Sequence, residues 1–512
     1  MNKEQKKKII YISVSTIVIW MITHGYRFMN NLYTCDSLLE VFQDDIAFQR
    51  SLGRFMHPLV MVLRGCITSP WLICIISIAF MIAAVYFTAD ILKIENPILI
   101  LILEGILICN NTMVSSVAGF LPWVDVYVCS LALAVLGVWL FQKEKWVYLI
   151  LGCVSFICCM GFYQAYIDVA IALFVFISIV ELAESKETKK VLINILKRLG
   201  GLAVSGVGYF VIHKIVCKVH HINETASYHG LSEVGNYSDT SLLSVVLDTY
   251  QKFIKFFWRQ ETFSSTILMG IKVSTAWEIL LKCCLIASVI IIIVGLILLN
   301  KKNKVPFVHI ILQIIAIAIM PMALNFVCFL SKGVEHELMI YSFFFVYVFA
   351  LAIIQKAIEV KDTKKYKYLL ILPLVFFIWN GIVYANQVYF RIDMQDQAAL
   401  SIATRIIDDI EDYEGYEPGV TPVKFVGSLD QSDYMLPVIY LRDITVNGNR
   451  NTPFTYDISL PYYLQLYMDV KINASYEEIP EDFINGMPNY PNKDSMKYYN
   501  GTLVVKVADP VD

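Results

Sequence analysis

At 512 residues, 57% hydrophobic and only 17% charged, with a mean hydropathy of +0.60, the chain is too apolar to be an ordinary soluble enzyme. A net charge of −3 gives no reason to expect nucleic acid as a partner. Long apolar runs separated by short lysine clusters call for a lipid bilayer as solvent.

In chain order, runs such as Ile9–Met21, Trp71–Val85, Ile98–Ile108, Leu131–Leu140, Leu285–Leu299, Val308–Met320 and Leu369–Ile378 form or anchor segments able to cross a bilayer, which takes roughly 20 apolar residues. Backbone polar groups must be satisfied internally in lipid, so the segments are predicted to be helices. About eleven spans are expected by hydropathy, near 8–26, 70–89, 97–116, 124–141, 146–161, 164–182, 199–217, 276–299, 305–328, 338–358 and 368–387. Lysine clusters at Lys6–Lys8, Lys93, Lys143/Lys145, Lys186–Lys197, Lys301–Lys304 and Lys361–Lys367 all fall on one side of that topology. The positive-inside rule makes that side cytoplasmic, placing the N-terminus inside and the C-terminus outside. The first run lacks a small-x-small cleavage site and is read as an uncleaved anchor.

Two connections, about 28–69 and 218–275, are long enough to carry function, and both fall outside. The first holds Asp36, Asp44-Asp45, Arg50, Gly53-Arg54 and His57-Pro58. Ser37-x-x-Glu40 is a capping-box pattern. Leu38, Val41, Phe42, Phe48, Leu52 and Phe55 suggest an apolar stripe lying in the membrane interface. Arg50 and Arg54, four apart, would share a helical face, where an anionic group between them relieves their repulsion. A lipid-linked phosphate suits that place, although ordinary headgroups would serve equally. The second loop carries an amphipathic stretch from Leu242 to Trp258, read as a surface helix.

Charges at membrane depth are costly and face a cavity or a partner. Glu104, Asp125, Gln164 with Asp168, and Glu335-His336-Glu337 stand out. Glu104 reads as a hydrogen-bonded acid between helices. Asp125, Tyr163, Gln164 and the Glu335–Glu337 group converge on the outer end, beside the first loop, which is the residue-level case for an outward-facing site. Solvated helix-end groups would give the same pattern.

From about Asn386 the chain changes, with a net charge of −11 against +8 for the remainder. Prolines, Asn447-Gly448, the β-prone runs Val423–Val426, Val438–Leu441 and Leu503–Val507, and an apolar helical period at Ala399, Ile402, Ile406 and Ile410 predict a small α/β domain over 388–512. The membrane domain would then be 1–387. None of the twelve cysteines falls in the tail, and no CxxC or HExxH pattern predicts a metal.

The acidic first loop, Ser51-Leu52-Gly53-Arg54-Phe55, then Gly161-Phe162-Tyr163-Gln164-Ala165, then Pro422-Val423-Lys424-Phe425-Val426-Gly427, taken in that order, resemble the bacteriophage serotype-converting glucosyltransferases, polytopic enzymes of the GT-C class. The resemblance implies inverting transfer of a hexose, glucose in that family, from a polyprenyl-phosphate donor to a cell-surface glycan on the outer face of the plasma membrane, without cofactor or metal. It implies an essential acid early in the first outside loop; Asp36 fits by its distance from Gly53-Arg54, with Asp45 and Asp44 as alternatives. Arg54, Arg50 and His57 would meet the donor phosphate, while Asp125, Tyr163, Gln164, Glu335 and His336 would line the substrate pocket.

Other classes share this topology. A flippase or transporter of lipid-linked sugars would use internal repeats, and no clear inverted repeat is found. A polymerase-like enzyme would spread its arginines over later outside loops. A binding protein would not need so many spans.

Overall fold

The computed structural model describes residues 3–34, 37–38, 40, 46–143, 145–223, 241–258, 275–358, 368–427 and 459–509. In chain order the helices are α1 (Lys3–Met29), α2 (Ile46–Ser51), α3 (His57–Leu63), α4 (Pro70–Ile91), α5 (Pro97–Ile108), α6 (Asn111–Gly119), α7 (Val124–Phe141), α8 (Trp146–Phe162), α9 (Ile167–Glu184) and α10 (Thr188–Val219). They continue with α11 (Leu242–Trp258), α12 (Thr275–Asn303), α13 (Phe307–Leu324), α14 (Phe326–Leu330), α15 (Phe345–Ile358), α16 (Leu372–Glu411), α17 (Ser459–Met468) and α18 (Glu481–Asn485). Short 3-10 turns at Leu121–Trp123, Gln164–Tyr166, Glu337–Met339 and Tyr341–Phe344 lead into α7, α9 and α15.

Among the described residues, eight helices are long and apolar enough to cross a membrane, or nine if the bent pair α5 and α6 counts as one span. The chain is thus a polytopic membrane protein. The expected eleven also includes that pair and two shorter apolar helices, Trp146–Phe162 and Tyr341–Ala357. The bend between α5 and α6 is 48° and has a local cause. Asn110 donates through Nδ2 to the carbonyls of Ile106 and Leu107, closing α5, while its Oδ1 accepts from Met113 N at 3.0 Å, opening α6. Gly381 of α16 fits against the Cys109 carbonyl at this bend, where any Cβ would overlap the backbone.

The helices share one apolar core in which α1 packs on α4, α5 and α16, α7 on α4 and α8, and α9 on α13. Helix α11 does not merely lie on a surface. Its Phe253 and Phe256 form edge-on contacts with Phe343, Phe257 meets Phe253 edge-on, and Tyr250 Oη donates to Ala318 O at 2.7 Å.

The tail builds a second core. Strands β1 (Pro422–Val426), β2 (Asn473–Ala474), β3 (Met496–Tyr499) and β4 (Thr502–Lys506) form one sheet in the order β2-β1-β4-β3. β1 runs parallel to β2 and β4, with Val423 opposite Leu503, and β3 is antiparallel to β4. Ala399, Ile402, Ile406 and Ile410 of α16 are all buried against this sheet's cluster. Helix α16 runs unbroken through position 387. Val438–Leu441 and Asn447-Gly448 lie outside the described residues.

The tail rests on the beginning of the first loop. Tyr467 Oη donates to Asn31 O at 2.7 Å, Tyr33 meets Tyr467 edge-on, and Leu38 is buried in the tail's own cluster. Leu38 therefore does not belong to an interfacial stripe. Leu52 is likewise buried, whereas Phe48 is exposed, so the expected stripe is divided among different neighbours. Ser37 is helical rather than a cap, and Leu38 N donates to Thr34 O.

Candidate functional site

The end of the bundle that carries the first loop collects the 3-10 turns before α7, α9 and α15, and most of the polar residues singled out by sequence lie around them. The loop is pinned there by its backbone. Helix α2 stops at Ser51, and Gly53 takes φ +81°, which a glycine adopts without strain. Gln164 Nε2 donates to Leu52 O at 2.6 Å and to Tyr209 Oη at 2.8 Å, and Tyr209 Oη donates to Gly53 O at 3.2 Å. Met56 N donates to Gly161 O at 2.9 Å, and Phe55 stacks on Tyr209. Gln164 thus clamps the loop to α10.

That turn separates Arg50 from Arg54, so the two do not share a helical face. Arg50 Nη1 lies 3.4 Å from His220 Nδ1, at the end of α10. Arg54 points the other way. Its guanidinium carbon sits 4.9 Å from the centroid of the buried Tyr163 ring, Nη1 donates to Gln49 Oε1 at 2.9 Å, and Nε has no partner among the described residues.

His57 is buried next to Trp123, with ring centroids 6.5 Å apart. Burial, reinforced by the charges of Arg54 and Arg64, lowers its pKa to about 3, so at neutral pH it is an uncharged imidazole. The positive charge here is supplied by arginines. His57 Nδ1 and Trp123 Nε1 find no hydrogen-bond partner among the described residues.

Asp125 is fully buried and faces Arg64, with Nη1 3.6 Å from Oδ2; Arg64 also donates to Pro122 O at 2.7 Å. Arg64 retains unpartnered Nε and Nη2 among the described residues. Tyr163 continues into Tyr127 and Tyr166, and Tyr166 into Tyr341.

The Glu335–Glu337 segment closes another side. His336 meets Phe120 edge-on, and Phe120 adjoins Trp123. Ser115 Oγ donates to Glu337 Oε2 at 3.0 Å, tying the turn to α6. Glu335 accepts from Asn325 Nδ2 at 2.7 Å, and burial raises its pKa to about 7. Thr34, two residues before Asp36, donates to Gly119 O at 2.9 Å, bringing the start of the first loop beside Phe120. Asp36, Asp44 and Asp45 themselves lie outside the described residues.

Two acids serve the scaffold. Glu104 accepts from Ser15 at 2.8 Å and Thr16 at 3.2 Å, joining α5 to α1. Asp168 accepts from Val327 N at 3.1 Å, capping α14, so it points to a different partner from Gln164 despite the four-residue spacing. Among the described residues no group of three or more His, Cys, Asp or Glu is arranged to hold a metal ion.

Arg64, Trp123 and Tyr209 were not singled out from the sequence. An arginine ending the apolar run Leu59–Leu63 was the available signal for Arg64; nothing local marks Tyr209.

A sequence model of the family described as glucosyl transferase GtrII matches residues 25–354, well over half of the chain and including every site residue named above. The chain belongs to this family. As a GtrII-family glucosyltransferase it carries the first loop, the Tyr163–Gln164 turn and the Glu335–Glu337 segment all within the matched region. Searches of curated proteins and of solved structures return no match.

Proposed function

We propose that this glucosyltransferase moves a hexose from a polyprenyl-phosphate donor to a cell-surface glycan at the outer face of the plasma membrane, with inversion and without a metal. The observation that carries the reading is the set of buried donors without acceptors on the residues that surround His57. Arg54 Nε, Arg64 Nε and Nη2, and Trp123 Nε1 are all buried with no partner among the described residues. Buried donors are normally satisfied, and a phosphate offers several acceptors with the charge to match two guanidiniums.

In this reading Arg54, with Arg64 beside it, stabilises the phosphate that departs with the electron pair of the broken C1–O bond. Arg50, at the edge, attracts the donor, and His57 contributes a neutral hydrogen bond. A carboxylate of the first loop removes the acceptor hydroxyl proton as that oxygen forms the new bond to C1. Asp36 is assigned this role, with Asp45 and then Asp44 as substitutes. The Thr34–Gly119 bond brings the preceding residues to the cluster and supports that choice. Tyr163 and His336 offer ring faces and edges to the sugar. Asp125, Gln164 and Glu335 hold Arg64, the loop and the Asn325 turn around it. The tail, packed on the first loop, orients the acceptor.

The test is transfer from a synthetic polyprenyl-phosphate hexose by the full chain in vesicles. Asp36→Asn should abolish transfer while Asp45→Asn retains it. Full transfer by Asp36→Asn, Asp45→Asn and Asp44→Asn alike would remove the first-loop base. Movement of donor across the bilayer without transfer would identify a flippase instead.

A further inference from the structure

At the far end of the bundle, about 25 Å along α9 from the turn at Tyr166, a cavity of about 480 Å³ opens between the ends of α4, α7, α9 and α15 and the start of α10. Its size falls within the range of ligand sites, roughly 300–1,000 Å³. Two acids line it, and each already has a cation. Arg198 donates to Glu181 Oε2 at 3.0 Å and to Ser178 Oγ at 2.7 Å, and Lys356 pairs with Glu184. Lys93, Lys143, Lys190 and Lys197 also line the cavity, and none of them has a carboxylate partner among the described residues. Lys143 instead lies over the Trp139 ring, 3.9 Å from its centroid. The pocket is therefore cationic after its internal ion pairs are counted.

Besides the polar Gln142 and Asn194, its remaining lining is apolar, with Phe141, Leu149, Phe176, Ile177 and Val180. Helix α8, which contributes Leu149, exposes Trp146, Val147 and Ile150 on its outer side, and the beginning of α10 exposes Leu192, Ile193 and Leu196. Two lipid-facing helices thus flank the cavity. A small soluble anion would use the lysines and gain nothing from the apolar walls. A lipid would use both, since basic pockets between membrane helices suit phosphate headgroups.

We propose that this cavity is a binding site for an anionic phospholipid, its phosphate among Lys93, Lys143, Lys190 and Lys197 and its upper acyl chain along Leu149 and Ile177. The proposal is independent of the transfer reaction at the opposite end. Lysines spread by the positive-inside rule alone would need no cavity, and the same end offers a control. Lys301 and Lys302 are exposed there, α12 being tied to α9 by Asn303 Nδ2 donating to Ala183 O, yet they do not line the pocket.

The test is native mass spectrometry of the full chain titrated with phosphatidylglycerol, phosphatidylcholine or inorganic phosphate. Phosphatidylglycerol should bind the wild type, and K190Q/K197Q and K93Q/K143Q should each weaken it at least about tenfold. K301Q/K302Q should leave it unchanged, and phosphatidylcholine should bind all forms alike and weakly. Equal phosphatidylglycerol binding by wild type and both pocket variants, or equal loss in K301Q/K302Q, would overturn the site. Displacement of the lipid by millimolar inorganic phosphate would overturn the lipid assignment in favour of a soluble anion.

Discussion

The guanidinium carbon of Arg54 sits over the ring of Tyr163, 4.9 Å from its centroid, and this contact joins the first loop to the turn that opens α9. The ring lies on one side of the guanidinium, and Gln49 holds one end of it. The remaining Nε edge is directed by both contacts and not by chance of rotamer. Lysine carries the charge but neither the plane nor the fork. Arg54→Lys is therefore expected to lose nearly as much transfer as Arg54→Gln, on the order of a hundredfold for one lost transition-state contact. Tyr163→Phe should stay close to wild type, because the ring face is retained, whereas Tyr163→Leu should fall with the arginine variants. Initial rates in vesicles, normalised to folded protein, decide it. Full activity in Arg54→Lys would show that charge alone suffices.

Gly53 is the hinge of the same loop. Its φ of +81° disfavours any side chain, and an added Cβ would collide with the Tyr209 hydroxyl and lie 2.9 Å from Gln164 Nε2. Gly53→Ala should displace the loop and reduce transfer well beyond its effect on melting temperature. Tyr209→Phe removes the hydroxyl that meets Gly53 and with it two hydrogen bonds, to Gly53 O and from Gln164 Nε2, at a cost of about 0.5–1.5 kcal/mol each. If the collision is the cause, combining Tyr209→Phe with Gly53→Ala should recover part of the activity lost by Gly53→Ala alone.

The membrane character of the chain could be read from its apolar runs because lipid imposes helix on any such run. Ala399, Ile402, Ile406 and Ile410 announced their buried face for the same reason, a period that only one geometry satisfies. Of the candidate site, the sequence marked Arg54, Tyr163 and Gln164 but not Arg64, Trp123 or Tyr209, and it marked no arrangement. Arg50 and Arg54 are four apart, but Gly53 breaks the helix between them, and the tertiary contacts that set its φ come from residues more than a hundred positions away. The partnership of Arg64 with Asp125, and the neutrality of His57, likewise depend on burial that sequence spacing does not encode.

Arg64 and Asp125 test how the buried charge is held. Both side chains are fully buried, so removing either leaves the other uncompensated, a loss of about 3–5 kcal/mol. Asp125→Leu and Arg64→Met should each lower the melting temperature markedly. An apolar pair, Arg64→Met with Asp125→Leu, should be more stable than either single variant, while transfer remains lost if Arg64 meets the phosphate. Simple additivity of the two single losses would show that the ion pair is not coupled.

His57 and Glu335 give stability opposite pH dependences. The folded pKa of His57, about 3, lies below the unfolded value of about 6.5. The unfolded chain therefore takes up a proton first as pH falls, and stability drops from about pH 6.5 towards 3 by up to about 1.4 kcal/mol per pH unit. Glu335 is raised to about 7 from the ordinary carboxyl value of 4.5, chiefly by burial. Its contribution is complete below 4.5 and is lost as pH climbs through 7, because the unfolded chain releases that proton earlier. His57→Gln should flatten the acid side of a plot of melting temperature against pH and leave the neutral side alone. Glu335→Gln should do the reverse, raising stability near pH 7 relative to wild type. An acid side that survives unchanged in His57→Gln would mean that the imidazole is already protonated in the folded protein, and the charge at the Arg54–Trp123 cluster would then be one greater than the geometry assigns.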